Sequence, residues 1–175
     1  MRKKLSIFFI LLACIATGWT FFAPHKSTVS FPLSYCAFCD PKVLAYQTFY
    51  EDDLVLALYT HKPVLPGHCL IIPKRHVERF EELSSAEITQ MREVIKKVNL
   101  AVMKVFRTVS YLLIEKNGKE AGQTVPHVHF HYLPKKAGED SALKFIMQLY
   151  LANAKKPISA TEMHEVIDRL KESIE

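Results

Sequence analysis

The sequence predicts an α+β protein with an antiparallel sheet, one long helix and further helices at the carboxyl end. Short apolar runs bounded by turn residues indicate buried strands, and one long segment has helical periodicity behind a capping box. Strands and helices do not alternate as they do in a parallel βαβ sheet. The chain has 175 residues, 49% of them hydrophobic, which suits a single domain with its own core.

A charged amino terminus precedes a long apolar run. Arg2, Lys3 and Lys4 come before residues 5–23, nineteen positions without a charge. At ~1.5 Å per residue, a helix of that length can cross the apolar core of a bilayer. Residues 1–24 are therefore predicted to be a cleaved signal peptide or a retained membrane anchor.

Other interpretations of this segment stay open. Cys14 follows Leu-Leu-Ala and is a candidate for lipidation, and a buried helix of a soluble protein is a further alternative. The positive-inside rule keeps the basic flank in the cytoplasm and places the body outside, unless a short anchor leaves it facing the cytoplasm. We therefore expect a membrane-anchored or exported protein, with residues 25–34 as a linker and residues 35–175 as the domain.

Four segments are predicted to form strands because they are apolar runs or alternate between apolar and polar side chains. They are residues 54–59, 68–73, 110–115 and 124–133. Ser84 and Glu87 have the spacing of a capping box, and apolar residues at steps of three and four extend that helix to about Arg107. Two more helices are predicted at residues 141–154 and 161–174.

The charge balance bears on the kind of partner. The net charge is +5, and removing the three charges of the amino terminus leaves 5 − 3 = +2. A balance this mild gives no support to nucleic-acid binding, so no nucleic-acid partner is expected. A small basic excess does suit an anionic small molecule.

Three histidines, His127, His129 and His131, alternate with apolar or aromatic residues. Side chains alternate between the two faces of a strand, so the three imidazoles are predicted to share one face. Such a row, titrating near neutral pH, can supply a nucleophile, an acid or base and an orienting partner. It can also bind a metal, although ligands in a line converge poorly on one ion. Just upstream, Gln123 and Thr124 offer amide and hydroxyl groups to an anion.

Residues 122–134, Gly-Gln-Thr-Val-Pro-His-Val-His-Phe-His-Tyr-Leu-Pro, resemble the signature strand of the histidine triad (HIT) superfamily. Residues 66–76, Pro-Gly-His-Cys-Leu-Ile-Ile-Pro-Lys-Arg-His, resemble the second landmark of that superfamily. The resemblance covers about residues 36–138 and is closest to the dinucleoside polyphosphate hydrolase branch. It implies a HIT-like fold with about five antiparallel strands, and a homodimer.

The resemblance also implies catalytic roles. His129, the middle histidine, would attack the α-phosphorus of a nucleotide and form a nucleotidyl-histidine that water then hydrolyses. His131 would contact the phosphate and assist the departing oxygen, and His127 would hold the row in register. His68, from the second landmark, would orient His129 through its other ring nitrogen or a nearby carbonyl group.

Substrate-binding positions follow from the same resemblance, with two departures. Thr124 and the backbone N–H groups around Gln123 would bind the phosphate oxygens. Thr60 stands where relatives carry Asp or Asn to bind the ribose hydroxyls. Lys116 stands where relatives carry Asn or Gln facing the phosphates, with Asn117 next to it, and both are predicted to bind the substrate. The added cation suits a more anionic substrate.

Cys36 and Cys39 have a spacing typical of metal ligands, although a redox pair or a disulfide would look the same. In zinc-bearing relatives, including the uridylyltransferase branch, two such cysteines meet two histidines whose positions here are His76 and His127. The resemblance therefore implies a structural Cys2His2 zinc site. A Cys36–Cys39 disulfide stays open because the leader indicates export to an oxidising compartment.

The function implied is hydrolysis of a nucleotide phosphoanhydride or phosphoramidate at the α-phosphate. Two alternatives stay open: a nucleotidyl transferase, and a non-catalytic nucleotide-binding module tethered to the membrane. The length of the chain favours hydrolysis over transfer, because uridylyltransferases are typically longer and duplicated.

Overall fold

A computed structural model describes residues 35–138, 142–151 and 156–174. The predicted leader, residues 1–24, and the predicted linker, residues 25–34, lie outside these ranges. Across the described ranges, none of the helices combines the length and the apolar character needed to cross a bilayer.

Five strands form one sheet in the order β1-β2-β3-β5-β4, and every neighbouring pair is antiparallel. The strands are β1 (Thr48–Glu51), β2 (Val55–Tyr59), β3 (Cys69–Pro73), β4 (Ser110–Glu115) and β5 (Phe130–Lys135). The α+β fold class is therefore confirmed. Since β5 inserts between β3 and β4, it brings the histidine-rich segment next to the strand that follows His68.

The helices are α1 (Pro41–Gln47), α2 (Ser85–Phe106), α3 (Ala142–Leu151) and α4 (Ala160–Ile174). The predicted capping box begins α2: the Ser84 hydroxyl accepts from the Glu87 backbone N–H, and the Glu87 carboxylate accepts from that of Ser84. The helix ends at Arg107, whose φ of 59° is left-handed. Both predicted ends of this helix are confirmed.

Hydrophobic clusters cover both faces of the sheet. On one face α2 and α4 pack over a large cluster that includes Val55, Ile71, Val98 and Leu170. A smaller cluster, formed by Phe38, Leu56, Leu58, Leu70 and Ile72, covers the opposite face. Strands β2 and β3 are buried along their whole length for this reason.

The predicted start of one strand was wrong. Residues 124–133 were expected to form a strand, but β5 begins only at Phe130. Before it, the backbone N–H of His127 donates to the carbonyl of Val125, two residues back, and that of Val128 donates to the carbonyl of Val77. These bonds replace a regular ladder, so the segment that carries His127 and His129 is irregular.

The Glu87 carboxylate also accepts hydrogen bonds from the Arg75 guanidinium. We expect this ion pair to make the free energy of unfolding depend on pH. The carboxylate is 4% exposed and receives two bonds from the guanidinium, at 2.8 and 3.0 Å. That contact is the main cause that lowers the pKa of Glu87 from 4.5 to about 2. A depressed pKa contributes stability that is complete above pH 4.5 and is lost as the pH falls towards 2.

Glu87→Gln is therefore expected to lower the free energy of unfolding by about 2 kcal/mol at neutral pH. The difference from the unmodified chain should shrink by about half at pH 3. Urea unfolding at both pH values measures it, with Glu93→Gln, which breaks a surface pair, as the control. A difference that is equal at both pH values would contradict the assignment.

Candidate active site and metal centre

The sheet brings four histidines together at one end of β3 and β5. His68 immediately precedes β3, and Leu70 of that strand pairs with His131 of β5. The Nε2 atom of His68 lies 3.0 Å from Nδ1 of His131, and the ring centroids of His129 and His131 are 4.9 Å apart. The aromatic ring of Phe38 contacts both His127 and His129. The predicted histidine row is thus a real cluster.

His129 has a fixed tautomer. Its Nδ1 atom lies 2.7 Å from the carbonyl oxygen of His127, which can only accept, so Nδ1 carries the proton and Nε2 keeps its lone pair. Only 4% of the residue is exposed, and burial lowers the pKa of His129, with Lys116 lowering it further. A neutral imidazole with one free lone pair has the electronic form that a nucleophile needs.

Both ring nitrogens of His68 have partners other than His129. The backbone N–H of Val64 donates to Nδ1 of His68 at 3.2 Å, so His68 carries its proton on Nε2 and donates it to Nδ1 of His131. His131 then carries its own proton on Nε2. Burial lowers the pKa of His131, and His68, His129 and Lys116 lower it further, so the ring is neutral at pH 7. The register of β3 and β5 brings His68 to His131, and no local sequence pattern indicates that contact.

Two of the expected substrate ligands hold a loop instead. The Gln123 amide accepts from the Gly118 N–H at 2.7 Å and donates to the carbonyl of Glu78 at 2.9 Å. The Asn117 amide accepts from the Phe80 N–H and donates to the Glu81 carboxylate. Both amides therefore tie residues 117–123 to residues 78–82, and these bonds give the two side chains a positioning role.

The other three predicted ligands lie around the cluster. Thr60 is buried directly after β2, its backbone N–H donates to the carbonyl of His68, and its hydroxyl accepts from the Lys62 N–H at 3.4 Å. Thr124 is exposed on the segment that leads to the histidines. Lys116 is half-buried after β4, close enough to His129 and His131 to affect the pKa of each.

A second cluster joins all four predicted metal ligands. One ligand atom from each of Cys36, Cys39, His76 and His127 lies within 4.8 Å of the others. The sulfur-to-Nδ1 distances are 3.5 Å for Cys36 and His127, 3.3 Å for Cys39 and His76, and 3.6 Å for Cys39 and His127. Tetrahedral zinc, with bonds of about 2.3 Å to sulfur and 2.0 Å to nitrogen, places these atoms roughly 3.5 Å apart. The four residues therefore fit a zinc ion.

The protonation pattern also fits a metal. Nε2 of His127 lies 2.9 Å from the carbonyl oxygen of Pro73 and donates to it, so the Nδ1 lone pair faces the sulfur atoms. Burial lowers the pKa of His127 to about 4, which keeps it neutral. Burial, with Cys39 nearby, raises the pKa of Cys36 to about 11. A bound cation would favour the thiolate and lower this pKa again. Cys36 and Cys39 are free thiols in this structure.

The fold and the histidine cluster together define a class of protein. It is an α+β domain with one sheet, and its candidate active site is a row of histidines. The HIT domain family model matches residues 42–138, more than half of the chain. The chain therefore belongs to the HIT domain family.

Comparisons with individual proteins agree. The chain is 41% identical over 95 residues to a bis(5'-nucleosyl)-tetraphosphatase [asymmetrical] of Schizosaccharomyces pombe, covering 54% of this chain and 52% of that one. It is 36% identical over 111 residues to an uncharacterized HIT-like protein of Methanocaldococcus jannaschii, covering 63% and 84%. A hypothetical histidine triad nucleotide-binding protein of Sulfolobus tokodaii has the same fold, with a TM-score of 0.64, 26% identity and coverage of 79% and 91%. The chain thus spans about half of the first of these relatives.

Proposed function

We propose that this protein hydrolyses a nucleotide phosphoanhydride or phosphoramidate at the α-phosphate through a covalent intermediate on His129. The observation that supports it most is the His129 tautomer, with Nδ1 bonded to a carbonyl oxygen and the Nε2 lone pair free. The tetraphosphatase of Schizosaccharomyces pombe adds support, since its name describes a nucleotide hydrolase with 41% identity over the matched region.

In the first step Nε2 of His129 attacks the α-phosphorus, and the bond from phosphorus to the leaving group breaks. The electron pair of that bond departs with the leaving group, while Nδ1–H of His129 stays bonded to the carbonyl of His127. His131 donates its Nε2–H to an oxygen of the reacting phosphate, because His68 occupies its other nitrogen. Water then attacks phosphorus, the P–N bond breaks, neutral His129 returns, and the proton of water leaves with the nucleotide or solvent.

The test is turnover of the full-length chain on diadenosine polyphosphates, adenosine phosphoramidate and UDP-sugars. Release of a nucleoside monophosphate supports hydrolysis. Transfer of the nucleotide to an added sugar phosphate, faster than its release, would favour the transferase alternative. Nucleotide binding without any turnover would favour the binding module.

Cys36, Cys39, His76 and His127 would hold the zinc ion. A bound zinc ion has a structural role here, because four protein ligands fill a tetrahedral site and leave no position for substrate. It would hold the segment around Phe38 against His127, the residue whose carbonyl oxygen orients His129. A disulfide between the two cysteines is the alternative, and metal analysis of the purified chain decides between them.

The amino-terminal segment, residues 1–24, directs the protein to a membrane in this proposal. Fractionation of cells that produce the full chain, compared with a chain lacking these residues, tests it. Recovery of both forms in the soluble fraction, with an intact amino terminus, would overturn the proposal.

The surface around β4 would form the homodimer. This strand lies at the edge of the sheet, and apolar side chains on it and on the adjoining helix are 40–67% exposed. They are Leu100, Tyr111, Leu112 and Leu113. Pairing of β4 with a second copy would bury these side chains and use the open hydrogen-bonding edge.

Leu113→Lys is therefore expected to convert a dimer into a monomer, because it places a charge in the buried contact. Light scattering after size exclusion measures the mass. Ile88→Lys, which changes another exposed apolar residue near the start of α2, is the control. A monomeric unmodified chain, or a dimer that survives Leu113→Lys, would contradict the proposed interface.

A further inference from the structure

Lys116 lies on the same face of the sheet as the histidine cluster. In the pairing of β4 with β5, Ile114 lies opposite His131 and Glu115 lies opposite Phe130. Side chains alternate between the two faces of a strand, so Lys116, two residues after Ile114, is directed to the face of His131, and Glu115 to the other face. Lys116 lies close enough to His129 and His131 to lower the pKa of each.

The ammonium group reaches the loop in front of the histidines. A Cβ atom placed on Gly122 would lie 3.8 Å from Nζ of Lys116, so the side chain extends along the glycine that opens the signature segment. Gly122 has a φ of 85°, a left-handed conformation that favours glycine. The Lys116 side chain is thus in van der Waals reach of the glycine that precedes Gln123 and Thr124.

The charge of Lys116 has no carboxylate partner among the ion pairs of the described residues. Glu81, on the neighbouring loop, accepts from Arg79 and Asn117 instead. The imidazole rings of His129 and His131 supply no negative charge in any protonation state. The site thus presents a half-buried cation that an anionic ligand would balance.

We infer that Lys116 determines the leaving group, selecting substrates in which the α-phosphorus carries a phosphate chain over those in which it carries an amine. This inference rests on the proposed hydrolase function. When the P–O bond of a dinucleoside polyphosphate breaks, the electron pair stays on oxygen and the departing nucleoside polyphosphate gains negative charge, which an ammonium group stabilises. A phosphoramidate instead releases ammonia, a neutral leaving group that carries no negative charge for the ammonium group of Lys116 to stabilise.

The test compares Lys116→Gln with the unmodified chain on diadenosine tetraphosphate and adenosine phosphoramidate. Glutamine removes the charge but keeps much of the length of the side chain. We expect kcat/KM for the tetraphosphate to fall about 30-fold to 100-fold, through weaker binding as well as a lower kcat, and that for the phosphoramidate to change by less than about threefold. Lys104→Gln, on the exposed side of α2, is the charge-matched control and should change neither.

An equal fall on both substrates would overturn the inference, as would no change on either. Binding of a methylene-bridged diadenosine tetraphosphate, measured by calorimetry, separates this inference from the proposed function. If no substrate is turned over, hydrolysis fails as the function, yet binding about tenfold weaker in Lys116→Gln would still assign the charge to the phosphate chain. Equal binding by both chains would overturn that assignment.

Discussion

Replacing His129 with alanine is expected to lower kcat by about 10⁴-fold, the largest effect of any single substitution in this site. The reason is that the variant lacks the only atom proposed to bond to phosphorus, Nε2 of a ring whose other nitrogen is fixed by the His127 carbonyl. Nucleotide affinity should change by no more than a few fold, because the ring makes its strongest contact in the transition state. Steady-state kinetics and calorimetry measure the two quantities.

His164→Ala is the matched control, since this histidine is exposed on α4 and lies outside the cluster. It should leave kcat unchanged. His129→Asn, which fills more of the buried space than alanine, separates chemistry from folding and should lose activity to the same extent. Retention of more than about a tenth of the activity in either His129 variant would rule out the proposed nucleophile.

Loss of zinc is expected to have the second largest effect, because it should lower both the stability and the activity of the protein. Removing the ion, or changing Cys39→Ser, should lower the free energy of unfolding by about 3 kcal/mol or more, because four ligands from distant parts of the chain lose their common partner. Activity should fall about 10-fold to 100-fold, since His127 both belongs to the metal cluster and orients His129 through its carbonyl.

Metal analysis and thermal unfolding with and without a chelator measure these effects. The purified chain should contain one zinc ion, and Cys39→Ser should contain less. Cys69→Ala, which removes a buried thiol outside the cluster, should keep its zinc. A metal-free chain that is destabilised by a reducing agent would instead establish the Cys36–Cys39 disulfide.

Elements with local signals were predicted well from the sequence. The capping box of Ser84 and Glu87 and the periodicity behind it placed α2, and the apolar run at Ser110–Glu115 placed β4 with its bounds. By contrast, α1 and β1 were missed. The short strand Thr48–Glu51 has one buried side chain, Phe49, and therefore no alternation to detect.

Contacts between distant segments could not be predicted from local pattern. His68 was expected to hold His129, but the position of β5 beside β3 gives it His131 as a partner. The amides of Gln123 and Asn117, both predicted to bind the substrate, bond to Glu78, Phe80 and Glu81, which lie 36 to 45 positions away. The four candidate metal ligands are the exception. They were predicted from the resemblance, which contains information on contacts between distant segments that residue spacing lacks.

The most direct test of the central claim is to look for the covalent nucleotide on His129 during a single turnover. Enzyme in excess over diadenosine tetraphosphate is quenched in base, where a phosphorus–nitrogen bond to histidine survives, and the protein is analysed by mass spectrometry. We expect a transient mass increase of one adenylyl group that maps to His129 and is absent from His129→Ala. Normal turnover with no adduct at any time, and with inversion of configuration at an isotopically labelled α-phosphorus, would show direct attack by water and rule out the covalent intermediate.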